Sequence, residues 1–319
     1  MKRVLAIFAC VVIVGLLVGA IAYGLTSGGP TAYSVGSTDV SQQSVDDELR
    51  ALAENDTLAA AIKQSSGTPL SAVEGSITAQ TSAGWVGLRV ALTAAARTVE
   101  RRGLKATKDD KTRGHQLAVE SVGGDAVFST LPAWFQEHLD DRWTSVAILE
   151  RELIANPTPA LQAAVSALCP SGRYVSHILV DTEAQATAIK QAIDRGGDFA
   201  EIATASSKDG SAKDGGQLGC LDGQQFVEPF ATVAANQPIG VVSDPFQTEF
   251  GYHVVLVTDE APVSATERVA LEEVLGRVRG TAVTVDPRYG VWDRRNGQVV
   301  PPPVPGAVPT PVPVPAPGA

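Results

Sequence analysis

Two β-patterned runs, each carrying one histidine, bracket residues 173–259 and constrain the fold of this chain more than any other feature. The first is Tyr174-Val-Ser-His-Ile-Leu-Val180 and the second is Phe250-Gly-Tyr-His-Val-Val-Leu-Val257. Side chains alternate between the two faces of a strand, so His177 shares a face with Val175 and Leu179, and His253 with Val255 and Val257. If the two strands pair at the centre of one sheet, imidazoles far apart in the chain meet.

The residues between them read as α+β. Thr182-Glu-Ala-Gln185 has the form of a capping box, in which hydroxyl and amide each take an otherwise unpaired backbone N–H. It predicts a helix to about Arg195, with Ile189 and Ile193 inward, ended by Gly196-Gly197. Asp198-Phe-Ala-Glu201 opens a second helix, and a third is expected over roughly Glu228 to Ala235. A Gly/Asp-rich turn ends at Gly215-Gly-Gln-Leu-Gly219, and Phe226-Val-Glu-Pro-Phe230 is aromatic. Val241 to Gln247, interrupted by Pro245, reads as an edge strand, where a missing N–H is tolerated.

Four pieces of this stretch occur together in a known order: Ser176-His-Ile-Leu-Val180, Ser211-Ala-Lys-x-Gly-Gly-x-Leu-Gly219, Gly223-Gln-x-x-x-x-Pro-Phe230 and Thr248-x-Phe-Gly-Tyr-His253. The segment resembles the parvulin family of peptidyl-prolyl cis/trans isomerases. The resemblance covers 87 of 319 residues, counted from Arg173 to Asp259. It implies a proline pocket of Leu218, Phe226 and Phe230 over paired histidines, His177 and His253, with the Thr248 hydroxyl bonded to the pair. Asp209 falls where some relatives carry cysteine and many bacterial ones aspartate, which implies an electrostatic role and no covalent step. Phospho-specific relatives have a basic loop after the first strand; Asp181-Thr-Glu183 is acidic, so no preference for phosphoserine-proline is expected. The reading needs no cofactor. Two histidines without a third ligand at suitable spacing do not make a metal site.

Ahead of this segment, Val4 to Leu25 is a 22-residue run without charge, preceded by Lys2 and Arg3. About 20 apolar residues span a bilayer, and flanking cations favour a cytoplasmic N-terminus. Residues 1–25 therefore read as a single-pass transmembrane anchor, with cleavage as a signal peptide near Ala20-Ile-Ala22 as the alternative. Both readings export the rest of the chain. Export disposes Cys169 and Cys220 to pair, and closing a loop of about 50 residues stabilises by ~4 kcal/mol in the chain-entropy account. The net charge of -10 argues against a nucleic-acid partner.

Residues 26–40 read as a Gly/Ser/Thr-rich linker, and 41–168 as helical. Ser44-Val-Asp-Asp47 and Thr107-Lys-Asp-Asp110 look like capping boxes. A helix is expected from about Ser82 to Arg102, ended by Gly103. Another spans Leu131 to Ile154, with Trp134, Phe135, Leu139, Trp143, Val146 and Leu149 at helical spacing. That stripe reads as core, or as a groove for unfolded chains. Helices before a parvulin segment (169–260) and one after it resemble the architecture of SurA- and PrsA-like foldases. Residues 261–297 supply that last helix, with Ser264-Ala-Thr-Glu267 as its cap, and a short strand over Thr281 to Val285, both expected to pack on the helical region. The Pro-rich tail 298–319 suits extended chain without a core.

The expected architecture is thus α+β, a small parvulin domain inserted in a mostly helical chaperone-like unit behind a transmembrane helix. The expected function is extracytoplasmic isomerisation of proline bonds in newly exported, unfolded polypeptides. The alternative is a membrane-anchored holdase whose parvulin domain mainly binds clients.

Overall fold

The computed structural model describes residues 29–66, 76–222, 224 and 226–302. Its described chain mixes helix and sheet and divides into two compact units: a split unit of Met1–Arg151 with Val274–Ala319, and an inserted unit of Glu152–Glu273. The expected anchor over residues 4–25 and most of the Pro-rich tail lie outside the described residues. Among the described residues, no helix is long and apolar enough to cross a membrane.

The split unit begins with a correction. Residues 31–40, expected as part of a linker, and Ser41, expected as the start of the helical region, form strands β1 (Thr31–Val35) and β2 (Thr38–Ser41). Their Gly/Ser/Thr content masked a strand face: Tyr33 and Val35 are buried on either side of half-buried Ser34. Much later in the chain, β7 (Val283–Val285) pairs antiparallel with β1, giving the order β2-β1-β7. It starts two residues later than expected, and β8 (Val291–Asp293) and β9 (Gln298–Val300) form a hairpin. Val40, Val45, Val86, Val90, Val278 and Val299 fill the core behind β1.

Helix α1 (Gln42–Ala53) is capped by Ser41, because the strand delivers that residue to the helix start; Ser44, the expected cap, lies inside. Next come α2 (Asp56–Ser66), α3 (Ala79–Arg102), α4 (Lys108–Ser121), α5 (Asp125–Phe128) and α6 (Ala133–Ala155). Thr107 and Asp110 form the full capping box at α4, and Gly103 ends α3 in the left-handed conformation. Glu48 on α1 is fully buried, 3.2 Å from Arg89, 2.8 Å from Arg142 and 3.0 Å from the Trp85 indole N–H. Burial pushes its carboxyl up, but the two arginines outweigh that and hold it below the usual range.

The inserted unit is wider than the expected 169–260. It takes in α7 (Pro159–Ala167), whose cap residue Thr158 donates to Glu273 at 3.2 Å near the end of α11 (Val263–Gly276). Helix α11 starts at Val263, so Ser264 is not its cap. Four strands run antiparallel in the order β4-β3-β6-β5: β3 (Tyr174–Val180), β4 (Gln217–Cys220), β5 (Phe246–Thr248) and β6 (Gly251–Thr258). Of the expected edge strand Val241 to Gln247, Phe246 and Gln247 do begin the edge strand β5, but before Pro245, which cannot donate to a ladder, there is only a single bridge at Val242.

Alternation along β3 and β6 divides the unit into two apolar layers. Ile178, Val180 and Val254 face α8 (Glu183–Asp194) and α9 (Phe199–Ser206). Val175, Val255 and Val257 face Phe230 and Ala234 of α10 (Phe230–Asn236), which begins two residues later than expected. Both histidines belong to this second face.

Candidate active site

His177 on β3 and His253 on β6 lie on the two central strands, His177 opposite Val255 and His253 opposite Leu179. That two-residue offset on one face stacks the rings with centroids 5.4 Å apart and brings Nδ1 of each to 3.2 Å. Both residues are buried. On one side, Thr248 Oγ1 lies 2.7 Å from His253 Nε2. On the other, His177 Nε2 lies 3.2 Å from Asp209 Oδ1, though outside hydrogen-bond geometry.

Asp209 is fixed by the turn it opens. It caps the short 3-10 turn Gly210–Asp214, accepting from the Ser211 N–H at 2.8 Å and the Ser211 hydroxyl at 2.6 Å. Partial burial pushes its carboxyl up, but these two hydrogen bonds and His177 outweigh it, leaving a pKa of about 2. Burial pushes His253 down, as does the neighbouring His177 against a smaller opposing effect of Asp209, to about 4.

Proton positions along this row follow from its ends. An ionised carboxylate only accepts, so the favourable tautomer of His177 carries its proton on Nε2, towards Asp209. Nδ1 of His177 then accepts from Nδ1–H of His253, whose Nε2 accepts the Thr248 hydroxyl proton. Thr248 Oγ1 in turn accepts the Phe250 N–H at 3.1 Å. Reversing the row would aim a lone pair of His177 at a carboxylate.

Above the row lie rings. Phe230 is buried and meets His177 and His253 edge-on, with centroids 5.5 and 5.3 Å away. Phe226 sits 4.8 Å from Phe230 and is half-buried, and Leu218 packs on the same cluster. All three expected pocket residues therefore come together next to the histidines. A third phenyl ring lies outside the expected set: Phe246 stacks on His253 at 5.4 Å. The available signal was its position two residues before Thr248, which puts both on one face of β5.

Gly216 lets the backbone close over β3. Its φ is +80°, and a Cβ there would collide with the His177 carbonyl oxygen. Cys169 and Cys220 are joined by a disulfide with Cα atoms 5.3 Å apart. Together with Asp222 they bring potential ligand atoms within 4.8 Å of one another, but both sulfurs are committed to the bond.

Residues 176–259 match the Rotamase family, the PPIC-type PPIASE domain. This segment is a rotamase domain. The foldase protein PrsA of Exiguobacterium sibiricum is 51% identical over 86 residues, 26% of this chain and 28% of that protein. The chaperone SurA of Pseudomonas syringae pv. syringae is 36% identical over 116 residues, 33% of this chain and 27% of that protein. The chain thus spans under a third of the length of these two relatives, and the similarity is centred on the rotamase domain. The crystal structure of PrsA from Bacillus subtilis aligns with 80% of this chain and 92% of its own, at 19% identity and a TM-score of 0.35.

Proposed function

We propose that this chain is an extracytoplasmic peptidyl-prolyl cis/trans isomerase that assists the folding of exported proteins, held at the membrane by residues 4–25. The observation that carries the reading is the row Thr248–His253–His177–Asp209, buried except at its partly exposed Asp209 end, directly beneath Phe230. Rotation about an X–Pro bond meets a barrier of ~18–20 kcal/mol because amide resonance is lost. Each ~1.4 kcal/mol removed from it is tenfold in rate. No nucleophile is required, only a site that favours the twisted amide over both planar forms.

Leu218, Phe226 and Phe230 hold the pyrrolidine ring. The histidine row, with its proton order set by Thr248 and Asp209, forms a rigid floor. As the amide twists, its carbonyl oxygen loses negative charge, so the fixed carboxylate of Asp209 repels the planar forms more than the twisted one. One exposed ring supports a second reading, client holding: Trp134 of the split unit is 40% exposed while stacked on buried Phe135, although Leu139, Trp143, Val146 and Leu149 of the same stripe are buried as core.

A protease-free isomerisation assay on a proline tetrapeptide, run beside His177→Ala and His253→Ala, separates the two. Isomerase activity that drops at least about tenfold in each variant, the scale of one preorganised polar group or more, supports the first reading. An inactive parent that still suppresses aggregation of an unfolded client selects the second.

A further inference from the structure

Leu218 is the odd residue of β4. Gln217 pairs with Ser176 and Gly219 with Val175, so Leu218 has no partner across the ladder. A bulge of this kind bends its strand and re-aims a side chain, and Leu218 packs here beside Leu221 and Phe226 on the cluster around Phe230. Strand β4 is four residues long and lies at the sheet edge. Beyond it, the described residues from Leu221 to Pro229 belong to no helix or strand, and Phe226 is among them. Two of the three cup residues thus depend on a short, irregular stretch. His177, His253 and Thr248 stand instead on β3, β6 and β5.

Three ties hold that stretch where β4 ends. Leu221 N–H donates to the Arg173 carbonyl at 2.8 Å, and Ser171 N–H donates to the Asp222 carboxylate at 2.7 Å. The third tie is the disulfide from Cys220 to Cys169. Cys169 is a firm anchor, 2% exposed and bonded through its own N–H to the Ser166 carbonyl at the end of α7. Cys220 is the last residue of β4, two positions after Leu218.

We propose that the Cys169–Cys220 disulfide is the positioning element of the proline cup, a role that rests on the isomerase reading for what the cup binds. Closed, it holds Leu218 and Phe226 against Phe230. Opened, it loosens the cup and leaves the histidine row unchanged, so affinity for proline peptides follows the redox state of the pair. Opening takes two electrons and two protons from a dithiol donor. The S–S bond breaks, two thiols form, and the donor closes its own disulfide.

The test uses the full chain in three forms: oxidised, treated with dithiothreitol, and as the Cys169→Ser/Cys220→Ser double variant. Each is titrated with an Ala-Ala-Pro-Phe peptide for Kd and assayed for KM and kcat. The reduced and double-variant forms should show Kd and KM raised about five- to tenfold, kcat within about twofold, and unshifted imidazole NMR signals of His177 and His253. Leu218→Ala should reproduce the rise in the oxidised protein and add little in the reduced one, the non-additivity of coupled positions. An unchanged Kd on reduction, a fall in kcat alone, full additivity with Leu218→Ala, or unfolding of the inserted unit on reduction each overturns the proposal. Absence of isomerisation in every form would remove the isomerase reading, while the peptide Kd still decides the positioning role.

Discussion

Nε2 of His177 is sealed from solvent 3.2 Å from Oδ1 of Asp209, and that carboxylate is itself clamped by Ser211. Asp209→Asn keeps the shape and removes the charge. Isomerisation kcat/KM should fall about tenfold, a reduced version of the usual electrostatic loss because the carboxylate is partly solvated, with KM nearly unchanged. Equal activity in the variant would show that the charge has no part in the reaction.

The pH dependence of stability has a definite sign. The folded pKa of His253 lies below its ordinary 6.5, at about 4, so the unfolded chain takes up the proton first as pH falls. Stability tied to His253 is complete above about pH 6.5 and is lost as pH falls towards about 4. Asp209, ordinarily 3.8 and here about 2, adds a contribution present above about pH 3.8 and lost towards about 2. Urea midpoints at pH 7, 5 and 4 should decline, and His253→Gln should flatten that slope.

Phe226 and Phe230 should separate binding from stability. Phe226→Ala, at the half-buried ring, should raise KM several-fold at a stability cost of about 1–2 kcal/mol. Phe230→Ala removes a ring in contact with both imidazoles and should cost about 3–5 kcal/mol. Chemical denaturation beside steady-state assays distinguishes the two outcomes.

Gly216→Ala tests the close approach of the turn to β3. The added methyl meets the His177 carbonyl oxygen in a left-handed backbone, so destabilisation of at least about 2 kcal/mol is expected. A shift of the His177 amide signal should accompany it. A neutral substitution would mean that the turn moves freely.

In the split unit, Glu48→Gln leaves Arg89 and Arg142 facing each other without their shared carboxylate. Breaking such a buried pair costs about 3–5 kcal/mol. The loss should appear in the unfolding of the split unit, with rotamase activity of the inserted unit retained.

The meeting of His177 and His253 was legible because strand alternation acts over a few residues, whereas the cluster of Leu218, Phe226 and Phe230 beside them was implied only by the resemblance to parvulins. Phe246 carries the alternation signal only weakly, because Pro245 interrupts the strand pattern just before the face it shares with Thr248. Ser41 caps α1 only because β2 forms ahead of it, and the Gly/Ser/Thr-rich stretch that builds β2 has the composition of a linker. Nothing local marked Glu48 as buried. A lone carboxylate on an amphipathic helix looks like a solvated position until arginines from two other helices arrive, 41 and 94 positions further along, counted from residue 48 to 89 and to 142.

The antiparallel pairing of β1 with β7 also sets a schedule for manufacture. A ribosome adding ~5–20 residues per second needs on the order of 10–50 s to cover the roughly 250 residues from Val35 to Val283. Every strand of the rotamase sheet is made within that interval. Strand β1 thus gains its second neighbour only after the whole inserted sheet has been made, and a nascent chain halted before residue 283 would carry that finished sheet while one edge of β1 stayed open.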